Sequence, residues 1–321
     1  MPAGFFTATV QRHAALKDPM TWQTVTPQPY ALGESPFWHP HEQQLYWVDI
    51  PARQIHRCNV FMGSVESWTM PSEAGCIAPA QSGGLVMALR DGIYRARDWG
   101  GALVKLANAT HDTATTRFND GKADPTGRFW AGTMYEPRTQ PNAQLFTLNN
   151  GALDLKVSQA VIANGLAWSP DAKTMYWADT PTHTVRAWDW NAETNNMTNE
   201  RTFKQWPGKP DGWQFGVSGH GAYGGRPDGA AVDVEGNYYV AMFEGARICK
   251  LSPAGIELAS ISVPAQCPTM PCFGGDDLKT LYVTTASYNR SPAELHAYPQ
   301  SGCVFSTQVD VPGLPVNFYI D

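Results

Sequence analysis

Apolar and polar positions alternate along the chain in a recurring way. Six short apolar cores stand out: Leu45–Asp49, Leu85–Leu89, Arg128–Gly132, Met175–Asp179, Tyr238–Met242 and Leu281–Thr285. Most are aromatic or β-branched, the composition that suits a pleated, buried surface. Each follows a short polar turn: 39–44, 81–84, 124–127, 169–174, 235–237 and 274–280. The pattern predicts six β-strands entered through turns. Their first residues are spaced 40, 43, 47, 63 and 43 residues apart. A period in the forties is that of a four-stranded propeller blade, so six copies predict an all-β, six-bladed β-propeller. The long fourth interval predicts a loop insertion at 207–226.

One repeat can be read strand by strand. Gly165–Ser169 reads as an inner strand, Met175–Asp179 as its partner, Val185–Trp190 as a third strand and Glu200–Trp206 as a fourth, beyond an Asn-rich turn at 193–199. No long segment has helical periodicity. Trp22–Thr26 reads as a strand that pairs with C-terminal partners at 294–298 and 303–309 to close the ring and remove the sheet edges. Residues 1–20 are expected to form a loose N-terminal arm, residues 21–321 one propeller domain, and Phe318–Ile320 an apolar end that packs down.

A further regularity is chemical. Nine to eleven residues before each strand core, where the inner strand begins, stand Glu34, Cys76, Asn119, Asn164, Asp228 and Pro271. Inner strands line a propeller's central channel, so equivalent positions converge at one mouth. Two carboxylates and two amides would then meet as a cage of hard oxygen donors, suited to Ca²⁺, Mg²⁺ or Mn²⁺, with Zn²⁺ also able to bind carboxylates. Asn and Asp before Gly also make ordinary turns, but that does not explain Glu34, which precedes Ser35-Pro36. A second Pro-Asp-Gly, at Asp211, lies 27 residues before Tyr238. Asp228 lies 10 before it and keeps the phase of the other repeats.

Other motifs carry less. Gly219–Gly224 spells Gly-x-Gly-x-x-Gly, but no helix follows to make a dinucleotide site. Ser218 is not in a Gly-x-Ser-x-Gly elbow. His39 and His41 flank Pro40 and read as exposed turn residues; His220 is the one histidine expected near the mouth. The six cysteines include one close pair, Cys267 and Cys272, without histidines at zinc spacing, and read as reduced core or loop thiols. Net charge is −6 with no run of Lys and Arg, which argues against nucleic-acid and anionic-membrane partners. No 18-residue apolar run suggests a membrane span. The start lacks a signal-peptide pattern, so a cytoplasmic location is expected.

Gly33-Glu34-Ser35-Pro36, Arg117-Phe118-Asn119-Asp120-Gly121-Lys122, Gly132-Thr133-Met134, Asn164-Gly165-Leu166 and Pro227-Asp228-Gly229 occur in that order. Together they resemble the gluconolactonase, regucalcin (senescence marker protein) and luciferin-regenerating-enzyme family, from about Gly33 to Val283. The resemblance implies a six-bladed propeller that hydrolyses a sugar lactone (a glucono-, arabinono- or xylonolactone, for example) with one divalent metal ion. It implies Glu34, Asn164 and Asp228 as metal ligands, Asp228 also as the catalytic general base, and Arg117 and Asn119 as substrate-binding residues. Arg117 comes from the resemblance alone. Tyr135-Glu136-Pro137 follows Gly-Thr-Met, which sets Glu136 one position off the acidic residue that sugar-binding members can carry there. Two other readings are a metal-dependent aryl-ester or organophosphate hydrolase on the same fold and a calcium-binding propeller without enzymatic activity.

Overall fold

The computed structural model describes residues 21–321, and the expected arm at 1–20 lies outside them. Six four-stranded antiparallel sheets form the blades. Blade one is Gly33–His39, Gln44–Asp49, Gln54–Asn59 and Ser64–Thr69. Blade two is Ala74–Pro79, Leu85–Leu89, Gly92–Ala96 and Val104–Asn108. Blade three is Thr116–Ala123, Phe129–Tyr135, Ala143–Asn149 and Ala152–Ala160. Blade four is Ala163–Trp168, Thr174–Asp179, Thr184–Asn191 and Asn196–Gln205. Blade five is Arg226–Val232, Tyr238–Phe243, Arg247–Leu251 and Glu257–Ser262. Blade six is Pro268–Gly274, Thr280–Thr285 and Phe305–Gln308, completed by Gln23–Thr24 from the other end of the chain. Consecutive inner strands pack side by side, and the sixth packs on the first.

The six apolar cores are the second strands. Each is covered on both faces by neighbouring blades, which is why it reads as continuously apolar rather than alternating. Trp47, Trp130 and Trp177 occupy the same place in three of them, and none is exposed to solvent. Truncating any one to Ala would cost about 3–5 kcal/mol. The aspartates that end two of these cores have a structural role. Asp49 accepts from the Ala31 and Leu32 amides, and Asp179 from those of Val161 and Ile162. Each fixes the chain as it enters its blade. Closure is as expected: Gln23 pairs with Ser306 and Thr24 with Phe305, and Trp22 Nε1 donates to the Ser262 carbonyl of blade five.

Four expectations are corrected. Residues 294–298 are not a strand. Pro292–Ala297 is a helix, started by Ser291, whose side chain accepts from the Glu294 amide, with proline in the first turn; that cap outweighs the strand-like pattern. The turn read at 193–199 is shorter, because Asn196–Asn199 already belong to the fourth strand. His39 is buried at the end of its strand, beside Glu42 and the Phe318 ring, while His41 is exposed. The repeat positions read at Cys76 in blade two and Pro271 in blade six shift in register, as described below.

The C-terminal residues pack down across the far end of the channel. Tyr319 bridges to Ala80, and the Ile320 amide donates to the Gly127 carbonyl. Leu314–Asn317 close a cavity of about 240 Å³ there. Its walls are mostly apolar, and it lies at the end of the channel opposite the oxygen-donor cage.

Candidate active site

Every inner strand carries a β-bulge at the same level. Pairing with the second strand shifts between Glu34 and Phe37, Ala74 and Cys76, Phe118 and Gly121, Asn164 and Ala167, Pro227 and Ala230, and Pro268 and Met270. A bulge adds a residue, twists the strand and re-aims a side chain. In three blades the bulge holds a residue at positive φ: Ser35 at 49°, Asp120 at 51° and Gly165 at 63°. The side chains aimed by these bulges are Glu34, Asn119, Asn164 and Asp228, and all four line one cavity of about 620 Å³ with Arg117. In blades two and six the equivalent residues are Gly75 and Thr269, not Cys76 and Pro271. Counting back a fixed distance could not see that the bulge changes the register.

Hydrogen bonds orient the amides. Arg117 Nη1 donates to Asn119 Oδ1 at 2.8 Å and to the Phe118 carbonyl at 2.9 Å. Asn119 Nδ2 donates to Asn164 Oδ1 at 3.0 Å and to the Ala163 carbonyl at 2.8 Å. Asn164 Nδ2 donates to Thr180 Oγ1 at 2.8 Å, and that hydroxyl donates to the Pro227 carbonyl at 2.8 Å. Both amide protons of Asn119 are therefore committed, and it can offer the cavity only the second lone pair of Oδ1. Asn164 Oδ1 likewise keeps one lone pair free for a ligand.

The carboxylates are held differently. Glu34 accepts from the Ser35 amide beside it at 3.1 Å. Among the described residues, neither Glu34 nor Asp228 forms an ion pair. Burial, then the negative charges of Asp228 and Asp120, push the Glu34 carboxyl well above the usual range. Burial and Asp120 do the same to Asp228, against Arg226 and Arg117. Asp120 itself is tied down, accepting from the Gly121 and Leu166 amides. Two buried, mutually repelling carboxylates without a cationic partner are costly unless neutralised. The donor set of Glu34, Asn164 and Asp228 supplies only hard oxygens and fits a divalent cation.

The rest of the wall follows a rule of two. Successive residues on one face of a strand are two positions apart, about 6.6 Å. Two residues before the donors stand Leu32, Arg117, Ile162 and Arg226, and two before Gly75 stands Glu73; all five line the cavity. Residues just past the second strands complete it, among them Arg90, Glu136, Thr180 and Glu244. Glu136 does face the cavity, where Arg90 holds it through two hydrogen bonds at 2.9 and 3.1 Å and Arg117 Nε lies 3.9 Å away. Thr180, Arg226 and Glu244 were not singled out from the sequence, although the alternation of the inner strand predicts Arg226. His220 and Asp211 do not line the cavity. Asp211 is exposed on the insertion.

A six-bladed propeller with buried hard-oxygen donors at one channel mouth defines the class. Residues 32–287 match the SMP-30/Gluconolactonase/LRE-like region, and the chain belongs to that family. It is 41% identical over 296 residues to a 6-deoxy-6-sulfogluconolactonase of Pseudomonas putida, covering 91% of this chain and 96% of the relative. It is 33% identical to the regucalcin of Danio rerio over 295 residues, covering 90% and 94%. The solved structure of a luciferin-regenerating enzyme superposes with a TM-score of 0.84 at 27% identity, covering 94% of this chain and 100% of that one.

Proposed function

We propose that the protein hydrolyses an aldonolactone, the cyclic ester of a sugar acid, with one divalent cation held by Glu34, Asn164 and Asp228. The observation that carries this reading is the pair of buried carboxylates facing the cavity with no cationic partner among the described residues. The family and the name of the 41% identical relative support the substrate class. Bound there, a divalent cation would polarise the lactone carbonyl and acidify a water molecule.

The chain's own residues supply the rest. Asp228 takes the proton from the attacking water at a carboxylate oxygen and returns it to the ring oxygen as the ester opens. Arg117 keeps its Nε–H, 3.9 Å from Glu136 Oε1, and one Nη2–H without a hydrogen bond, and these donate to substrate oxygens. Asn119 receives a substrate hydroxyl on its remaining lone pair, so its role is that of an acceptor. Thr180 fixes Asn164 and the backbone before Asp228 through one hydroxyl, which accepts from the first and donates to the second.

A panel of neutral aldonolactones tests the reading, using EDTA-treated protein before and after adding single divalent metals. Turnover above the spontaneous rate, lost on chelation and restored by metal, is expected. Metal binding without turnover of any lactone would overturn it.

A further inference from the structure

The cavity holds more positive charge than a neutral sugar requires. In a chain of net charge −6, its wall carries Arg90, Arg117, Arg138, Lys209, Arg226 and Arg290. With Glu34 and Asp228 assigned to a cation, three glutamates remain on the wall: Glu73, Glu136 and Glu244. Glu73 and Glu136 are both engaged by Arg90. Glu244 alone serves three cations: Lys209 at 2.9 Å, Arg290 at 3.1 Å and Arg226 at a loose 3.4 Å. Glu294, behind the wall, takes a second contact from Arg290 at 2.6 Å. Arg138 has no ion pair or side-chain hydrogen bond among the described residues. By surface area it is exposed, yet the enclosing wall, followed by the like charge of Arg226, disfavours its protonated form.

The cations are also built in rather than scattered. Arg226 stacks over the Phe243 ring at 5.2 Å, and Arg290 over the same ring at 5.5 Å. Lys209 lies 4.9 Å over Trp213 of the insertion. Arg226 sits two residues before Asp228 on one inner strand, about 6.6 Å toward the rim. The positive face thus begins roughly one sugar ring above the donor cage.

We propose that this face is an anion subsite, formed by Arg138 and Arg226 with Lys209, and that the preferred lactone carries an anionic group on the carbon remote from its carbonyl. The inference rests on the lactonase reading. Sulfonate, phosphate and carboxylate share the required chemistry of a compact, multiply accepting oxyanion, for which arginine's fork of donors is suited.

The test compares gluconolactone with the same lactone bearing a terminal phosphate, sulfonate or carboxylate, in the metal-loaded protein. At least one anionic lactone is expected to exceed the neutral one by about tenfold or more in kcat/KM, the usual worth of a charge-assisted contact. Which of the three leads identifies the anion. Arg138→Met should cut that preference about tenfold, mainly through KM, and Arg138→Lys should recover part of it. Lys209→Met should act in the same direction. No preference for any anionic lactone, or a preference untouched by Arg138→Met, overturns the subsite. Should no lactone be turned over, the lactonase reading fails by itself. Calorimetry with inorganic phosphate and sulfate then decides the subsite: binding weakened in Arg138→Met supports it, and equal or absent binding overturns it.

Discussion

Asp228→Asn is the most informative single change. The substitution keeps a ligand oxygen and the volume of the side chain, and removes the charge and the ability to take a proton. The site around it is rigid. Pro227, before it, has its carbonyl held by Thr180. Gly229, after it, packs so close that an added Cβ would meet Met270 Cβ at 2.4 Å. The variant should therefore fold with its Asn in the same place. Loss of a general base costs about 10²–10⁴ in kcat, or roughly 3–5 kcal/mol of barrier. The carbonyl remains polarised in the variant, which is why a residual rate is expected. The metal should still bind, more weakly, because one of two charges is gone. The assay is proton release from a neutral aldonolactone at saturating metal, corrected for spontaneous hydrolysis, with metal affinity measured by calorimetry. Asp211→Asn, on the exposed insertion, should be silent to within about 0.5 kcal/mol. Near-normal turnover in Asp228→Asn, with loss in Asp211→Asn, would show that the wrong Pro-Asp-Gly had been assigned.

Other expectations follow from the same geometry. Glu34→Gln should weaken metal binding and leave activity that excess metal partly restores; unchanged affinity by calorimetry removes Glu34 from the ligand set. Thr180→Val strips the hydroxyl from both Asn164 and the Pro227 carbonyl, and should lower metal affinity about 10- to 100-fold, as loss of a ligand-orienting contact usually does; wild-type affinity would show that the chain of hydrogen bonds is incidental. The raised Glu34 and Asp228 carboxyls bind protons more tightly folded than unfolded. In the metal-free protein their contribution to stability should thus be fully present below the unfolded carboxylate values, about pH 4, and be lost as pH rises through the raised folded values. Since the metal replaces those protons, the gap in Tm between metal-loaded and EDTA-treated protein should widen with pH, and a constant gap would refute the electrostatic account. Replacing 212–224 by a short linker should change KM more than Tm, because Lys209 and Arg226 at its two ends face the cavity; identical kinetics would place the loop outside the pocket.

The fold was legible because burial on both faces makes the second strands of the blades continuously apolar, and that signal survives in a single sequence. Leu85–Leu89 has the bounds read from the sequence, and the other five cores agree within a few residues. The helix at Pro292–Ala297 was missed because six residues are too few to show a helical period; its Ser291-Pro292 cap was the available signal. The positions of Glu34, Asn119, Asn164 and Asp228 were legible as a repeat phase. Gly75 and Thr269 were not, since a bulge breaks the simple count. The rim cations escaped for a different reason. Arg226 reaches Glu244 across the first hairpin of blade five, Lys209 comes from the insertion and Arg290 from blade six, and no repeat phase or motif marks that convergence.

The bulges also explain how six similar blades set four donors so closely. In each donor blade, the carbonyl just before the donor residue is contacted from the preceding blade or by the site's own arginine. Thr269 of blade six donates to the Gly33 carbonyl, ahead of Glu34. Asn119 of blade three donates to the Ala163 carbonyl, ahead of Asn164. Thr180 of blade four donates to the Pro227 carbonyl, ahead of Asp228. The Phe118 carbonyl, ahead of Asn119, takes Arg117 and lies against Gly75 of blade two, where an added Cβ would approach it to 2.2 Å. Blades two and six contribute no donor of their own, yet they position the donors of the blades that follow them. A carbonyl opened by the bulge cannot stay unsatisfied in a buried channel, so the need to satisfy it couples each blade to the next. The geometry of the cage is thereby a property of the closed ring, and the pairing of Gln23–Thr24 with Phe305–Gln308 that closes it belongs to the same construction as the site.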